Sequence, residues 1–211
     1  MIIVGAKGFA KEILQILSVD MNLPDEKILF FDNVSENLPE KLFGRFIILK
    51  TFEAVKDYFS KTNDKTFVLG LGIPRNREKM YNIFVDLGGE PKTVIAKKTE
   101  TGNFDVVIGD GTSIMSGCIL TNSITLGKGC LINLNTTIGH DCIIGDFVEV
   151  SPNTNISGRC TIGDFSSIGT NAIIIPDVTI GKNVVVGAGT LVLKNVPDDA
   201  TIVGVPGRII K

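Results

Sequence analysis

Aliphatic side chains occupy every sixth position through the second half of the chain, without an exception over fifteen repeats. A helix needs apolar residues at a spacing of 3.6 and a half-buried strand needs them at a spacing of 2. A period of six instead fits a short strand followed by a corner, so the pattern predicts a solenoid. The column consists of Ile108, Ile114, Leu120, Leu126, Ile132, Ile138, Ile144, Val150, Ile156, Ile162, Ile168, Ile174, Ile180, Val186 and Val192.

Two further columns define the cross-section of this solenoid. The position two before each aliphatic residue is small or compact, except at Ile124, so each strand sends one large and one small side chain inward. Glycine directly follows the aliphatic residue at 109, 127, 145, 163 and 181, a spacing of eighteen residues. Three hexads therefore close one coil, which predicts a triangular prism of five coils, about 24 Å tall at about 4.8 Å per strand.

The first 104 residues carry a different pattern, in which short apolar strands alternate with amphipathic helices. Strands are predicted at 2–4, 28–31, 66–69 and 93–95, with helices from about Phe9, around 52–59 and from about Arg75. This alternation predicts a Rossmann-like α/β domain with a short parallel sheet over 1–104. The solenoid then covers 105–195, and 196–211 form a C-terminal tail.

Ligands of such sheets bind beyond the carboxyl ends of the strands, here at 5–9, 32–33 and 72–77. The loop Gly5-Ala6-Lys7-Gly8 would present backbone amides at a helix N-terminus, which suits a phosphate. A structural tight turn explains this loop equally well, because the full dinucleotide glycine spacing is missing. Asp32 either accepts a hydrogen bond from a ribose or base, or simply closes its strand.

Charge and cysteine usage exclude several function classes. The net charge is −2 and neither half carries a basic stripe, so we expect no nucleic-acid partner. No apolar run reaches membrane-spanning length, so no membrane insertion is expected. All four cysteines, Cys118, Cys130, Cys142 and Cys160, fall on the small inward column, which favours core filling over metal or redox chemistry and indicates a reducing cytoplasm.

The only histidine, His140, lies at an outward corner of the predicted prism, next to Asp141. A solvated corner is the ordinary interpretation. A general base is the other, since imidazole is the usual proton acceptor near neutral pH and Asp141 can fix its tautomer. Asn133, on the preceding corner, could hold a polar group of the substrate. A zinc site of the carbonic anhydrase kind needs three imidazoles, so we expect no metal.

The stretch Ile138-Gly139-His140-Asp141-Cys142, with Val150-Ser151-Pro152 and Gly204-Val205-Pro206-Gly207, resembles the hexapeptide-repeat sugar acyltransferases. These comprise sialic acid O-acetyltransferases and UDP-4-amino-sugar N-acetyltransferases. The likeness spans nearly the whole chain, including the N-terminal glycine loop, Phe30-Phe31-Asp32 and the segment 72–81 with Arg77. It implies a left-handed parallel β-helix, a homotrimer, and a nucleotide-activated sugar and acetyl-CoA as the two substrates.

The resemblance also implies roles for individual residues. His140 matches the general base, Asp141 the acid beside it, and Asn133 an active-site asparagine. Coenzyme positions are implied at Ser151, Gly158 and Thr170, and also at Glu149, where relatives carry a histidine. The nucleotide-sugar pocket is implied at Lys7, Gly8, Phe9, Asp32, Asn33, Gly72 and Arg75.

Three functional hypotheses follow from these residues. The leading one is direct acetyl transfer from acetyl-CoA to the amine of a nucleotide-linked sugar, with His140 as base and a backbone amide near Gly158 stabilising the oxyanion. The second is O-acetylation of a sugar hydroxyl. A non-catalytic nucleotide-sugar sensor is the third, because relatives carry a histidine where this chain has Phe9 and another where it has Glu149. Phe147 and Phe165, one coil apart, are predicted to stack in a subunit contact.

Overall fold

The alternating pattern of the N-terminal region forms a sheet flanked by helices in the computed structural model, which describes residues 1–211. The helices are α1 (Gly8–Gln15), α2 (Phe52–Lys61) and α3 (Pro74–Asp86), with a π-turn at Ile16–Asp20 and a 3₁₀ turn at Asp25–Lys27. The sheet has the order β3-β4-β2-β1-β5-β6. Its strands are β1 (Ile2–Val4), β2 (Leu29–Phe31), β3 (Lys41–Leu42), β4 (Phe46–Leu49), β5 (Thr66–Leu69) and β6 (Glu90–Pro91).

Local chemistry explains where these helices begin. Thr51 caps α2 by accepting a hydrogen bond from the backbone N–H of Ala54, at 3.1 Å. Pro74 occupies the first turn of α3, where its missing N–H costs nothing. The antiparallel pair β3–β4 and the edge strand β6 were not predicted. Two-residue strands such as β3 and β6 carry too little periodicity, and the four-residue strand β4 was missed.

The six-residue period forms a left-handed parallel β-helix with three flat faces. The first sheet contains β7 (Val94–Ile95), β10 (Ser113–Ile114), β13 (Leu131–Ile132), β16 (Glu149–Val150), β19 (Ser167–Ile168), β22 (Val185–Val186), β24 (Thr201–Val203) and β25 (Arg208–Ile209). The second contains β8 (Glu100–Thr101), β11 (Ile119–Leu120), β14 (Thr137–Ile138), β17 (Asn155–Ile156), β20 (Ile173–Ile174) and β23 (Leu191–Val192). The third contains β9 (Val106–Ile108), β12 (Ile124–Leu126), β15 (Ile143–Ile144), β18 (Thr161–Ile162) and β21 (Thr179–Ile180).

The β-helix is longer than the uninterrupted sequence repeat at both ends. Val94–Ile95, predicted as a strand of the α/β sheet, instead pairs with Ser113–Ile114 and begins the first face of the prism. After residue 195, the segment predicted as a tail contributes β24 to the same face, and β25 pairs antiparallel with it. The junction between the two units therefore lies near residue 93.

Each corner of the prism turns through the left-handed backbone region. Every sixth residue from Asp105 to Gly189 has a positive φ, between 53° and 78°. Asn, Asp and Gly tolerate this conformation best, and they fill most of the column. Phe147, Arg159 and Phe165 are the large exceptions, with φ of 55°, 60° and 61°.

Inside the prism, the aliphatic column and the small column form one continuous core. The small polar members are fully paired with backbone. Each cysteine thiol donates to a carbonyl on the next coil, as Cys118 does to Asn133 at 3.0 Å and Cys130 to Gly145 at 3.0 Å. Burial raises the pKa of Cys130 to about 12, so this thiol is neutral at physiological pH.

The α/β domain covers part of the first face of the prism and of the corner between its third and first faces. Met115 and Leu131 of the first face pack into the core cluster of α1. Phe147, at that corner, is 2% exposed and lies in the cluster of Phe31, Phe67 and Phe84. Phe147 and Phe165 do stack, with centroids 5.8 Å apart and planes at 3°. The predicted subunit contact is wrong for Phe147, because its own α/β domain buries the ring.

Candidate active site

A cleft of about 430 Å³ opens at the carboxyl ends of β1, β2 and β5 in the α/β domain. It contains six of the predicted nucleotide-sugar residues: Lys7, Gly8, Phe9, Asp32, Asn33 and Gly72. Gly5 at the base of the cleft has φ +115°, and a Cβ there would lie 2.7 Å from the carbonyl oxygen of Gly70. The loop that begins α1 therefore requires glycine to approach the neighbouring strand.

Asp32 is 7% exposed and organises the loop after β2. Its Oδ1 accepts hydrogen bonds from the backbone N–H groups of Val34, at 3.1 Å, and Ser35, at 2.9 Å. Burial alone would raise the pKa of Asp32, but these hydrogen bonds hold it below its usual value. The carboxylate is therefore charged, and it shapes the cleft wall as well as facing it.

Sequence reasoning missed part of this cleft. Lys79, Met80 and Ile83 of α3 line it, together with Phe52 of α2, whereas Asn76 falls within the predicted segment 72–77. Positions 76, 79, 80 and 83 are three or four residues apart and so lie on one face of a helix. That spacing is the sequence feature that could have indicated this wall of the cleft. Arg75, predicted for the pocket, is outside the lining. Its guanidinium instead lies 3.7 Å from the Phe165 ring centroid and donates to Asn183 Oδ1.

His140 lies at the corner between the second and third faces of the prism, with its side chain 56% exposed. Its Nδ1 is 2.6 Å from Oδ2 of Asp141, so the carboxylate favours the tautomer in which Nδ1 carries the proton. Nε2 then presents a lone pair. Gly158 stacks one coil away, and a Cβ there would lie 2.7 Å from both Nε2 and Cε1 of His140. The imidazole therefore lies directly against the Gly158 backbone.

An ion pair flanks this corner on the following coils. Arg159 donates from Nε to Oδ1 of Asp177 at 2.6 Å, and a second guanidinium nitrogen contacts Oδ2 at 2.9 Å. The hydrogen bond from Arg159 holds the pKa of Asp177 below its usual value. Arg159 thus presents a fixed cation beside Gly158, on the same edge as His140.

The other predicted site residues lie on two further parts of the prism. Asn133, Ser151 and Thr170 lie at the corner between the first and second faces, and Asn133 Oδ1 accepts from the backbone N–H of Leu134 at 2.8 Å. The second face separates them from His140 and Gly158. Glu149 projects from β16 of the first face toward the α/β domain, where a Cβ on Gly72 would lie 3.6 Å from Glu149 Oε1.

Arg77 is the one fully buried cation of the junction, and sequence reasoning assigned it no role. It donates from Nε to Gly129 O at 2.9 Å, and from its terminal nitrogens to Phe147 O at 2.7 Å, Val148 O at 3.0 Å and the carbonyl of Gly72. Burial lowers the pKa of Arg77 to about 10, so it stays charged at neutral pH. It joins the cleft loop at Gly72 to two successive coils at the corner between the third and first faces of the prism.

The cleft and His140 occupy separate places in one chain. All residues that line the cleft belong to the α/β domain, which packs on the first face and the third–first corner. His140 lies at the vertex opposite the first face.

No group of three or more His, Cys, Asp or Glu side chains is arranged to hold a metal ion. The helices of the structure are all too short or too polar to span a membrane.

Two family descriptions match separate parts of the chain. Residues 1–84 match the PglD N-terminal domain, and residues 159–194 match the bacterial transferase hexapeptide (six repeats). No curated protein sequence matches the chain significantly. The hexapeptide match falls within the β-helix, and the match over 1–84 contains all the residues that line the cleft.

Solved structures match over the full length. WeeI from Acinetobacter baumannii AYE is 30% identical, with 99% of this chain and 98% of that chain covered and a TM-score of 0.90. PerB from Caulobacter crescentus, solved with CoA and GDP-perosamine, is 24% identical over 100% and 96% of the chains, with a TM-score of 0.84. The acetyltransferase domain of PglB from Neisseria gonorrhoeae FA1090, solved with acetyl coenzyme A, is 24% identical over 99% and 98%, with a TM-score of 0.87. These likenesses, with the two domain matches, show that the chain belongs to the hexapeptide-repeat sugar acyltransferase family.

Proposed function

We propose that the protein transfers the acetyl group of acetyl-CoA to the amino group of a nucleotide-linked sugar, with His140 as general base. The observation that carries this proposal is the His140 imidazole: Nδ1 is held by Asp141 at 2.6 Å, and Nε2 lies beside the Gly158 backbone on a side chain that is 56% exposed. A fixed tautomer with an open lone pair is the arrangement that general-base catalysis needs.

The cleft of the α/β domain is the proposed nucleotide-sugar site. Lys7, Lys79 and the free amides at the start of α1 supply positive potential for a diphosphate, and Phe9, Phe52 and Met80 supply apolar surface for a base. PerB was solved with GDP-perosamine, a nucleotide amino sugar, which supports this class of substrate. Relatives carry a polar histidine where this chain has Phe9, so this part of the cleft wall is apolar here.

Acetyl-CoA is the proposed donor, because PglB was solved with acetyl coenzyme A and PerB with CoA. Ser151, Gly158 and Thr170 are the proposed coenzyme contacts. They line the two edges of the second face, so the coenzyme would run along the prism, with its thioester near Gly158 and His140. The positive charge of Arg159 beside Gly158 is compatible with a coenzyme phosphate.

A homotrimer is the proposed assembly, and the separation of His140 from the cleft supports it. Within one chain the base and the cleft lie on opposite sides of the prism. A second copy would bring its cleft to the corner that carries His140. Exposed apolar residues on the uncovered faces, among them Val107, Ile119 and Ile143, suit a subunit interface.

In the proposed reaction the neutral sugar amine attacks the thioester carbonyl, and a carbon–nitrogen bond forms as the carbon–sulfur bond breaks. His140 Nε2 takes one proton from the nitrogen and returns it to the departing coenzyme thiolate. The backbone N–H of Gly158 is the nearest donor for the oxyanion. All four cysteines are buried free thiols, so none is available to carry the acyl group, and reduced thiols fit a cytoplasmic location.

The test is acetyl transfer to a panel of UDP-, dTDP- and GDP-linked amino sugars, each paired with its hydroxyl counterpart, measured as free thiol release. We expect transfer to at least one amino sugar, and a loss of turnover on the order of 10²- to 10⁴-fold in His140→Ala. Coenzyme binding by calorimetry should be nearly unchanged in that variant. Full activity of His140→Ala would refute its role as base, and transfer only to hydroxyl sugars would favour O-acetylation.

A further inference from the structure

Glu149 is a carboxylate of the prism that borders the cleft of its own chain. Gly72 lines the cleft, and the only atom that a Cβ on Gly72 would meet within 4 Å is Oε1 of Glu149. Glu149 lies on β16, on the face of the prism that the α/β domain covers. The carboxylate therefore stands at the end of the cleft closest to the prism.

The cleft itself is lined by a single acidic side chain. Asp32 is charged, and its Oδ1 accepts hydrogen bonds from the N–H groups of Val34 and Ser35. Lys7 and Lys79 make the rest of the cleft positive. A ligand with a negative diphosphate would be bound by the lysines. At the end of the cleft nearest the prism, a cationic group on that ligand would meet the carboxylate of Glu149.

Arg77 is the obvious competing partner of Glu149, but its donors are used elsewhere. Every hydrogen bond of Arg77 goes to a backbone carbonyl, on Gly72, Gly129, Phe147 or Val148. Arg77 still favours the charged form of Glu149, although burial dominates and raises the pKa of Glu149 above its usual value. The half-buried carboxylate thus lies near a cation without pairing with it, and burial strengthens any charge-assisted hydrogen bond that it accepts.

We infer that Glu149 determines substrate specificity, by accepting a hydrogen bond from the protonated amine of the nucleotide-linked sugar. This inference rests on the proposed function. It places Glu149 on the sugar side of the site, in contrast to the coenzyme contact implied by the family resemblance. The role is recognition of the ammonium form. The ammonium releases one proton to solvent before attack, and His140 then takes the second proton from the neutral amine as in the proposed reaction. A hydroxyl sugar lacks the positive charge and gains much less from the carboxylate.

Direct binding separates this role from catalysis. The probes are the best amino sugar of the panel, such as GDP-perosamine, and the same nucleotide sugar with a hydroxyl in place of the amine, titrated calorimetrically without coenzyme. Glu149→Gln keeps the shape and removes the charge. We expect its dissociation constant for the amino sugar to rise roughly 10- to 100-fold, because hydrogen bonds to charged groups have that strength. The constant for the hydroxyl sugar should change less than about twofold.

Glu100→Gln is the matched control, since Glu100 is exposed on the second face of the prism; it should leave both constants unchanged. Equal binding of the amino sugar by wild type and Glu149→Gln would overturn this inference alone. Equal weakening for both sugars would also overturn it, by showing a general effect on cleft shape. A wild type that binds no amino sugar of the panel would overturn the proposed function together with the inference.

Discussion

The imidazole of His140 and the backbone of Gly158 are in direct contact, one coil apart on the same edge of the prism. A Cβ at position 158 would lie 2.7 Å from Nε2, a distance that real Cβ atoms do not adopt. Glycine at 158 therefore leaves the ring in place, and the same contact brings the Gly158 amide close to the reacting atoms. The position of the proposed base therefore depends on residue 158 having no side chain.

Gly158→Ala should consequently displace the imidazole and lower kcat, on the order of 10- to 100-fold, since misplacement of a catalytic group by about 1 Å can cost 10²-fold. The displaced ring is exposed, so the melting temperature should change little. Gly44→Ala is the control: it adds a Cβ in open space at a φ of +68°, far from the prism, and should cost stability without costing turnover. Unchanged kinetics in Gly158→Ala would contradict the assigned geometry.

Asp141 combines a conformational and an electrostatic role, and two substitutions separate them. Its φ is +59°, which Asn tolerates well and Ala tolerates poorly. Asp141→Asn should retain the corner but remove the charge beside Nδ1, and we expect kcat/KM to fall about 10-fold. The exposure of both side chains limits the effect.

Asp141→Ala should lose a similar amount of activity and also destabilise the corner, by roughly 1–2 kcal/mol for the left-handed backbone. Urea unfolding together with steady-state kinetics measures both quantities. Equal kcat/KM in wild type and Asp141→Asn would show that the carboxylate charge does not assist His140.

Arg77 connects the cleft loop to the prism through carbonyls that no backbone N–H reaches, those of Gly129 and Phe147 among them. Arg77→Met would leave these acceptors buried without donors, which costs about 1–3 kcal/mol each. We expect the free energy of unfolding to fall by more than about 3 kcal/mol in urea titrations. Arg45→Met removes an exposed pair with Asp25 and should cost less than about 1 kcal/mol. Equal losses in the two variants would mean that Arg77 does not hold the junction.

Much of the prism could be predicted from the sequence, because its core repeats with a fixed period and every repeat meets only its neighbours. The beginning of the prism at Val94 could not, since the aliphatic column is interrupted there by Ala96 and Gly102 and the strand resembles any short apolar segment. The left-handed corner column was visible as recurring Asn, Asp and Gly. Its exceptions at Phe147 and Phe165 indicate positions where a contact outweighs backbone strain of roughly 1–2 kcal/mol.

The candidate site was harder to predict, because its parts depend on how the α/β domain docks. Phe147 follows the same six-residue pattern as an exposed corner, and only the position of α3 buries it. Arg77 binds carbonyls 52 to 71 residues away, which leave no trace in side-chain types. Glu149 likewise faces Gly72 through docking alone, whereas His140 and Asp141 are neighbours in sequence and could be paired at once.

Glu149 should also reduce the stability of the protein at neutral pH, and this cost is measurable without any ligand. Burial raises its pKa in the folded state above the unfolded value, despite the opposing charge of Arg77. Between these two pKa values the folded state binds more protons, so stability falls as pH rises from about 4.5, the usual value for a glutamate. Glu149→Gln should therefore have a higher melting temperature than wild type at pH 7, and the difference should vanish below pH 4.5. A variant that is less stable than wild type at pH 7 would instead show that the carboxylate serves mainly to balance Arg77. A stabilising substitution that weakens amino-sugar binding is the pattern of a residue retained for function.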